Sequence, residues 1–210
     1  MPFQISLADP EAILVADTST IINLNASGSS REILRAVPNR LVVAETILSE
    51  LEAGKQQGHQ DADSLKELIN DGLIEIITIG DVGIRHFEEL VIGPAIGTLD
   101  DGEAATIAIA IEQQGIALID ERKAHRICSE RYPDLRIGCT VDIFAHPEVL
   151  RTLGEQKLAL SVLNALTDAR MNVLPHHADW VVKLVGPDKT AHCPSLSKSV
   201  RQIEKTSAKQ

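Results

Sequence analysis

Two short stretches constrain what this chain can fold into. Residues 13–16 read Ile-Leu-Val-Ala and residues 116–119 read Ile-Ala-Leu-Ile, and each runs straight into an aspartate, Asp17 and Asp120. Four apolar residues without polar alternation are what a strand buried on both faces requires. Asp17 is followed by Thr18-Ser19-Thr20 and a new apolar pair, Ile21-Ile22, which reads as a helix opening. Both aspartates are therefore expected at the C-terminal tips of strands. In open α/β sheets, sites form beyond those tips, where the strand order switches. Asp17 and Asp120 converge if their strands are neighbours.

The rest of the chain supports a sheet of this kind. Further strands are expected at 41–44, 73–79 and 135–138. Helices are expected at 20–25, 31–37, 45–53, 61–70, 81–90, 100–114 and 121–131. Strands alternating with helices predict an α/β fold with a mainly parallel sheet and helices on both faces. The helix at 100–114 is apolar on nearly every side, from Ala104 to Ile111, so it must be buried on most faces. Thr140 is expected to cap a helix running toward His146-Pro147. From Leu153 onward the pattern is helical, with helices at 155–169 and 178–185 and a polar tail after Pro194. The expected organisation is one α/β domain over residues 1–150 and a helical extension over 151–210 packed on it.

Charge separates the two parts. Residues 1–150 carry a net charge of −14 and residues 151–210 carry +4. An acidic body is a poor generic binder of nucleic acid but suits a protein that gathers carboxylates around metal ions. Aromatics make up 2% of the chain, which argues against a stacking platform for single strands. The three cysteines, Cys128, Cys139 and Cys193, have no CxxC spacing, so reduced thiols and a cytoplasmic location are expected. No run reaches membrane-spanning length and no signal peptide is expected.

Four acidic points stand out: Asp17, an acid on the helix at 45–53, the Asp100-Asp101-Gly102-Glu103 entrance to the buried helix, and Asp120-Glu121. Carboxylates without Cys or His spacing suit hard cations such as Mg²⁺ or Mn²⁺. Such ions orient water and neutralise charge developing on a phosphate. Each point also has a local reading. Asp17 and Asp120 can cap the helices that follow them, and Asp100 with Glu103 has the spacing of a capping box. On the helix at 45–53 the pattern does not choose among Glu45, Glu50 and Glu52, which flank an apolar stripe.

Three stretches together resemble the PIN-domain family, of the kind found in prokaryotic VapC-type toxin ribonucleases. Val15 to Leu24 is similar to the family's opening strand and Asp-Thr/Ser turn. Leu99 to Ala108 resembles its Gly-Glu-Ala helix entrance, and Ala117 to Arg122 its later strand ending in paired acids. Thr46 to Leu51 resembles the helix that supplies a further acid, in a register that favours Glu50. The resemblance covers about residues 12–150. It implies a Rossmann-like three-layer α/β/α sandwich and a ribonuclease dependent on Mg²⁺ or Mn²⁺. The implied catalytic and metal-binding acids are Asp17, Glu50, Glu103 and Asp120, with Glu121 as a fifth metal ligand. Asp142 lies where some relatives place another acid, in a loose match. RNA is the implied substrate, and an antitoxin protein and a second copy of the chain are candidate partners. A catalytically weak binding module on the same fold is the alternative.

Arg122 and Arg126, one helical turn apart after Asp120, are candidates for RNA phosphate contacts, against a solvated face pairing with acids such as Glu130. Lys198, Arg201, Lys205 and Lys209 would form a basic face if the tail were helical, against a frayed terminus. His176-His177 and His192-Cys193 lack finger spacing, and their histidines are expected at the surface rather than on zinc. There is no GxSxG nucleophile motif and no P-loop lysine. An aspartyl-nucleophile phosphohydrolase is disfavoured because Ser19 stands where a second acid would be needed.

Overall fold

The computed structural model describes residue 7, residues 9–55 and residues 60–197, so residues 56–59 and the basic face expected at Lys198, Arg201, Lys205 and Lys209 lie outside the described residues. Five strands form one sheet: β1 Leu14–Ala16, β2 Leu41–Ala44, β3 Glu75–Ile77, β4 Ile116–Leu118 and β5 Arg136–Gly138. Their order is β3-β2-β1-β4-β5 and every pairing is parallel. The three central strands are wholly buried, whereas β3 and β5 at the edges are partly exposed. This explains why the central strands are the unbroken apolar runs of the sequence.

The helices are α1 Thr18–Ala26, α2 Ser30–Ala36, α3 Glu45–Lys55, α4 Asp61–Asn70, α5 Asp81–Val91 and α6 Asp101–Glu112. They continue with α7 Arg122–Arg131, α8 Thr140–Phe144, α9 Pro147–Thr167, α10 Ala178–Val185 and α11 Pro187–Thr190. The result is the expected α/β/α sandwich. α6 lies on β1, β2 and β4 with α5 packed outside it. Its Ala104, Ala105, Ala108 and Ala110 are fully buried, and small side chains let it sit close to the sheet. Glu112, at the end of α6, accepts hydrogen bonds from Gly80 N at 2.9 Å and Val82 N at 3.3 Å, closing the N-terminus of α5.

Elsewhere the chain after β5 packs on α1 and α2. α9 packs against α1, α2 and α8, and α10 against α9. The expected boundary at residue 150 falls inside α9, which begins at Pro147. α9 is interrupted at Gly154, whose φ of 73° and ψ of 161° are non-helical. This splits the helix just before the periodic stretch that the sequence predicts from residue 155. Another departure concerns α8: Cys139 is its N-cap and Thr140 its first residue, so Thr140 is not the cap. The freed Thr140 side chain has a different use, described below.

Candidate active site

β1 and β4 are neighbours in register, Ala16 beside Leu118, and Asp17 N donates to Leu118 O at 3.2 Å. Asp17 and Asp120 thus leave the sheet at its switch point, where β1 is flanked by β2 on one side and β4 on the other. Both are buried. Asp17 does cap α1, its Oδ1 accepting from Thr20 N at 2.7 Å, while the Ser19 hydroxyl donates to the same carboxylate at 2.9 and 3.0 Å. Capping and site membership coexist, because a carboxylate offers about four acceptor positions.

Asp120 does not cap the helix that follows it. Glu121 is the N-cap of α7 and makes no side-chain cap bond. Asp120 instead faces the N-terminus of α8, twenty residues away. Its carboxylate accepts from Thr140 N at 2.8 Å, Thr140 Oγ1 at 2.6 Å and Asn23 Nδ2 at 2.7 Å. Its backbone carbonyl accepts from Asn172 Nδ2 at 2.6 Å. The aspartate is held at both its side chain and its main chain.

Glu103 sits on the first turn of α6, whose N-cap is Asp100, accepting from Glu103 N at 2.8 Å. Glu50 comes from α3 and accepts from the Thr18 hydroxyl. The structure resolves the ambiguity on that helix: Glu52 is bound by Lys66 Nζ at 2.6 Å, and Glu50 faces Gly102. A β-carbon on Gly102 would lie 2.9 Å from both Glu50 carboxylate oxygens. The glycine before Glu103 therefore leaves the space that the Glu50 carboxylate occupies.

These side chains line one cleft of about 430 Å³, together with Glu121 and Asp100. All five acids expected from the sequence are brought to it, by four different segments of the chain. The charges are poorly compensated. Burial, and next the Asp120 carboxylate, pushes the Asp17 pKa up to about 7. Burial, and next Asp100, pushes Glu103 up to about 7. Burial also raises Asp120, in spite of its hydrogen bonds from Thr140 and Asn23. An all-oxygen set of carboxylates, destabilised in its ionised form by burial and mutual repulsion, fits a hard divalent cation. Asp17, Asp120, Glu103, Glu50 and Glu121 are the residues that would hold it.

Other expectations meet a mixed outcome. Arg122 and Arg126 are exposed and do not line the cleft. Arg126 is paired with Glu130 at 3.1 Å and donates to Ile96 O at 2.9 Å, as the solvated-face reading anticipated for this helix. Lys123 on α7 acts on Glu103 by its charge, and the basic side chain among the described residues lining the cleft is Arg170, from the segment after α9. Among the described residues no carboxylate pairs with it. Arg170 and Asn172 were not legible in the sequence, since nothing local marks a loop that returns to a sheet edge. His177 corrects the surface assignment of the histidine pair: it is buried, beside Asp142. His176 next to it is exposed.

A family model described as a PIN domain matches residues 13–186. The chain belongs to the PIN-domain family. The match runs from the residue before β1 through α10, so it includes the segment that carries Arg170 and Asn172. No curated protein and no solved structure matches the chain significantly. PIN domains are in general nucleases, and they typically use divalent metal ions. The carboxylate cleft of this PIN domain is the place in the described residues where such chemistry fits. No helix of the described residues is long and apolar enough to cross a membrane.

Proposed function

We propose that this PIN domain is an endoribonuclease dependent on Mg²⁺ or Mn²⁺. The observation that carries the proposal is the convergence of Asp17, Glu50, Glu103, Asp120 and Glu121 on one cleft at the switch point of the sheet. A divalent cation bound there supplies a Lewis acid for the phosphate and lowers the pKa of water. The protein's part is to place charge and to exclude alternatives. Asp120, fixed by Thr140, Asn23 and Asn172, is a rigid acceptor. Ser19 and Thr20 orient Asp17 toward the same space. Glu103 and Glu50, nearer the rim, are more adjustable carboxylates. Glu103, whose pKa burial and next Asp100 raise to about 7 in the cation-free protein, would give up its proton as the cation binds. No side chain is needed as a covalent nucleophile.

RNA approaches an acidic body by way of local positive charge. Arg170 at the cleft is the residue best placed to meet a phosphate, and Arg122 and Arg126 lie further out on α7. In the toxin reading, the natural inhibitor is an antitoxin protein that lays a basic side chain into the carboxylate cleft. Its energetic reward is the same uncompensated charge that favours a cation. A second copy of the chain is a further candidate partner.

Calorimetric titration of Mn²⁺ into the wild type and into Asp120→Asn tests the cation half of the proposal. Saturable binding in the wild type that is weakened at least tenfold in the variant is the expected result. Equal binding by both would remove Asp120 from the site. A wild type that neither binds Mn²⁺ nor cuts RNA would turn the reading to a PIN-fold binding module.

A further inference from the structure

A second cluster of metal-ligating side chains lies behind the carboxylate cleft. Cys139, Asp142 and His177 are each almost fully buried, at 1%, 3% and 1% exposure. One donor atom from each lies within 4.8 Å of the other two. Cys139 and Asp142 are the N-cap and third residue of α8, and His177 ends the 3₁₀ turn Pro175–His177. Two stretches distant in sequence thus bring a thiol, a carboxylate and an imidazole to one point inside the protein.

The geometry leaves the right atoms facing inward. Asp142 spends Oδ2 on the Cys139 backbone N–H, at 2.9 Å, and turns Oδ1 toward His177. The distance from Oδ1 to His177 Nε2 is 3.5 Å. That distance already pairs the two side chains, His177 acting on Asp142 as a hydrogen-bond and charge partner. The same distance is close to the edge of a tetrahedron built with metal–ligand bonds of about 2.0–2.1 Å, which is roughly 3.3–3.4 Å. The donor set is also selective. A hard cation such as Mg²⁺ prefers oxygen throughout, whereas sulfur with imidazole and one carboxylate selects a borderline transition cation.

We propose that Cys139, Asp142 and His177 form a binding site for a divalent transition cation of the Zn²⁺ class, separate from the carboxylate cleft. Three protein ligands leave a fourth position for water. The Cys139 thiol gives up its proton to solvent on binding and ligates as the thiolate. The cation's charge then balances the thiolate and the Asp142 carboxylate within the core. Its structural consequence is a clamp: it fastens the turn at 175–177 to the first turn of α8. The neighbouring residue of that turn, Thr140, is the one that holds Asp120. The inference does not depend on the nuclease reading.

Cobalt spectroscopy on the full chain tests it. The protein is stripped with chelator, Mg²⁺ is kept in large excess to occupy the carboxylate cleft, and Co²⁺ is titrated in. The expected result is a thiolate-to-cobalt charge-transfer band in the near ultraviolet with intense visible d–d bands, saturating at a single equivalent and bleached by Zn²⁺. Oxygen-only sites give no thiolate band. Cys139→Ser should abolish the band, and Cys128→Ser and Cys193→Ser should keep it. A folded wild type, checked by circular dichroism, that shows no thiolate band overturns the proposal whatever the variants do. So does a band that survives in Cys139→Ser.

Discussion

Asp17 carries two roles in one side chain. It caps α1 and faces Asp120 across the switch point, so its ionised form is held with little compensation. The sign of the pH effect follows. Its pKa rises from the ordinary 3.8 to about 7 in the folded state. Below both values the group is protonated in folded and unfolded chains and contributes nothing. As pH rises from about 4 to about 7, the unfolded chain releases the proton and the folded one retains it, so the cation-free protein loses stability. Glu103, also raised to about 7, acts in the same direction. Mn²⁺ reverses this, because it binds the ionised carboxylates. Thermal melts with chelator and with Mn²⁺ should therefore separate as pH rises through about 7 and come together below pH 5. Melting curves that stay parallel across that range would contradict the assignment.

Gly102 offers a second test on the residue scale. Gly102→Ala puts a methyl group 2.9 Å from both Glu50 oxygens, and the end of a flexible side chain can move aside cheaply. Stability should stay within about 1 kcal/mol, helped by the better helix propensity of alanine. Displacement of Glu50 should lower RNA cleavage by up to about 100-fold. Single-turnover rates and a melt of the same sample decide it. A variant with full activity would remove Glu50 from the machinery.

On the scale of elements, most of the architecture was legible because each piece has its own punctuation. β2 at Leu41–Ala44 and α4 at Asp61–Asn70 agree with the expected ranges, the first set off by Pro38-Asn39, the second closed by Asp71-Gly72. The edge strand β3 is shorter than its apolar run from 73 to 79, since strand length depends on how far its neighbour β2 reaches. The break in α9 was half visible: the sequence places a helix start at 155, after Gly154, but not that the preceding segment is helical too. The φ and ψ at Gly154 belong almost only to glycine. Gly154→Ala should cost about 1–3 kcal/mol by chemical denaturation, with no effect on metal binding. An unchanged midpoint would mean that the kink is not required.

Taken as a whole molecule, the site is assembled by topology rather than by any one motif. Local pattern placed Asp17, Glu103 and Asp120 at element ends but left capping as an equal explanation for each. Strand order brings Asp17 and Asp120 together, and nothing local to residues 13–17 or 116–120 encodes that β1 lies beside β4. For the same reason Arg170 and Asn172 escaped notice, and a buried His177 was indistinguishable from its exposed neighbour His176. The segment after α9 completes the site, with Asn172 on the Asp120 carbonyl and Arg170 at the rim. Arg170→Ala should raise the KM for RNA roughly tenfold, in line with one charge-assisted contact, and leave kcat nearly unchanged. Steady-state cleavage at several RNA concentrations would show it. A fall in kcat alone would mean that Arg170 acts on the chemical step instead.

The measurement closest to the central claim is cleavage of a labelled single-stranded RNA by the wild type and by Asp17→Asn, each in Mn²⁺ and in chelator. Cleavage by the wild type in Mn²⁺ alone, and none by Asp17→Asn in either condition, is the predicted result. RNA cut equally well by the variant, or by the wild type in chelator, would contradict it.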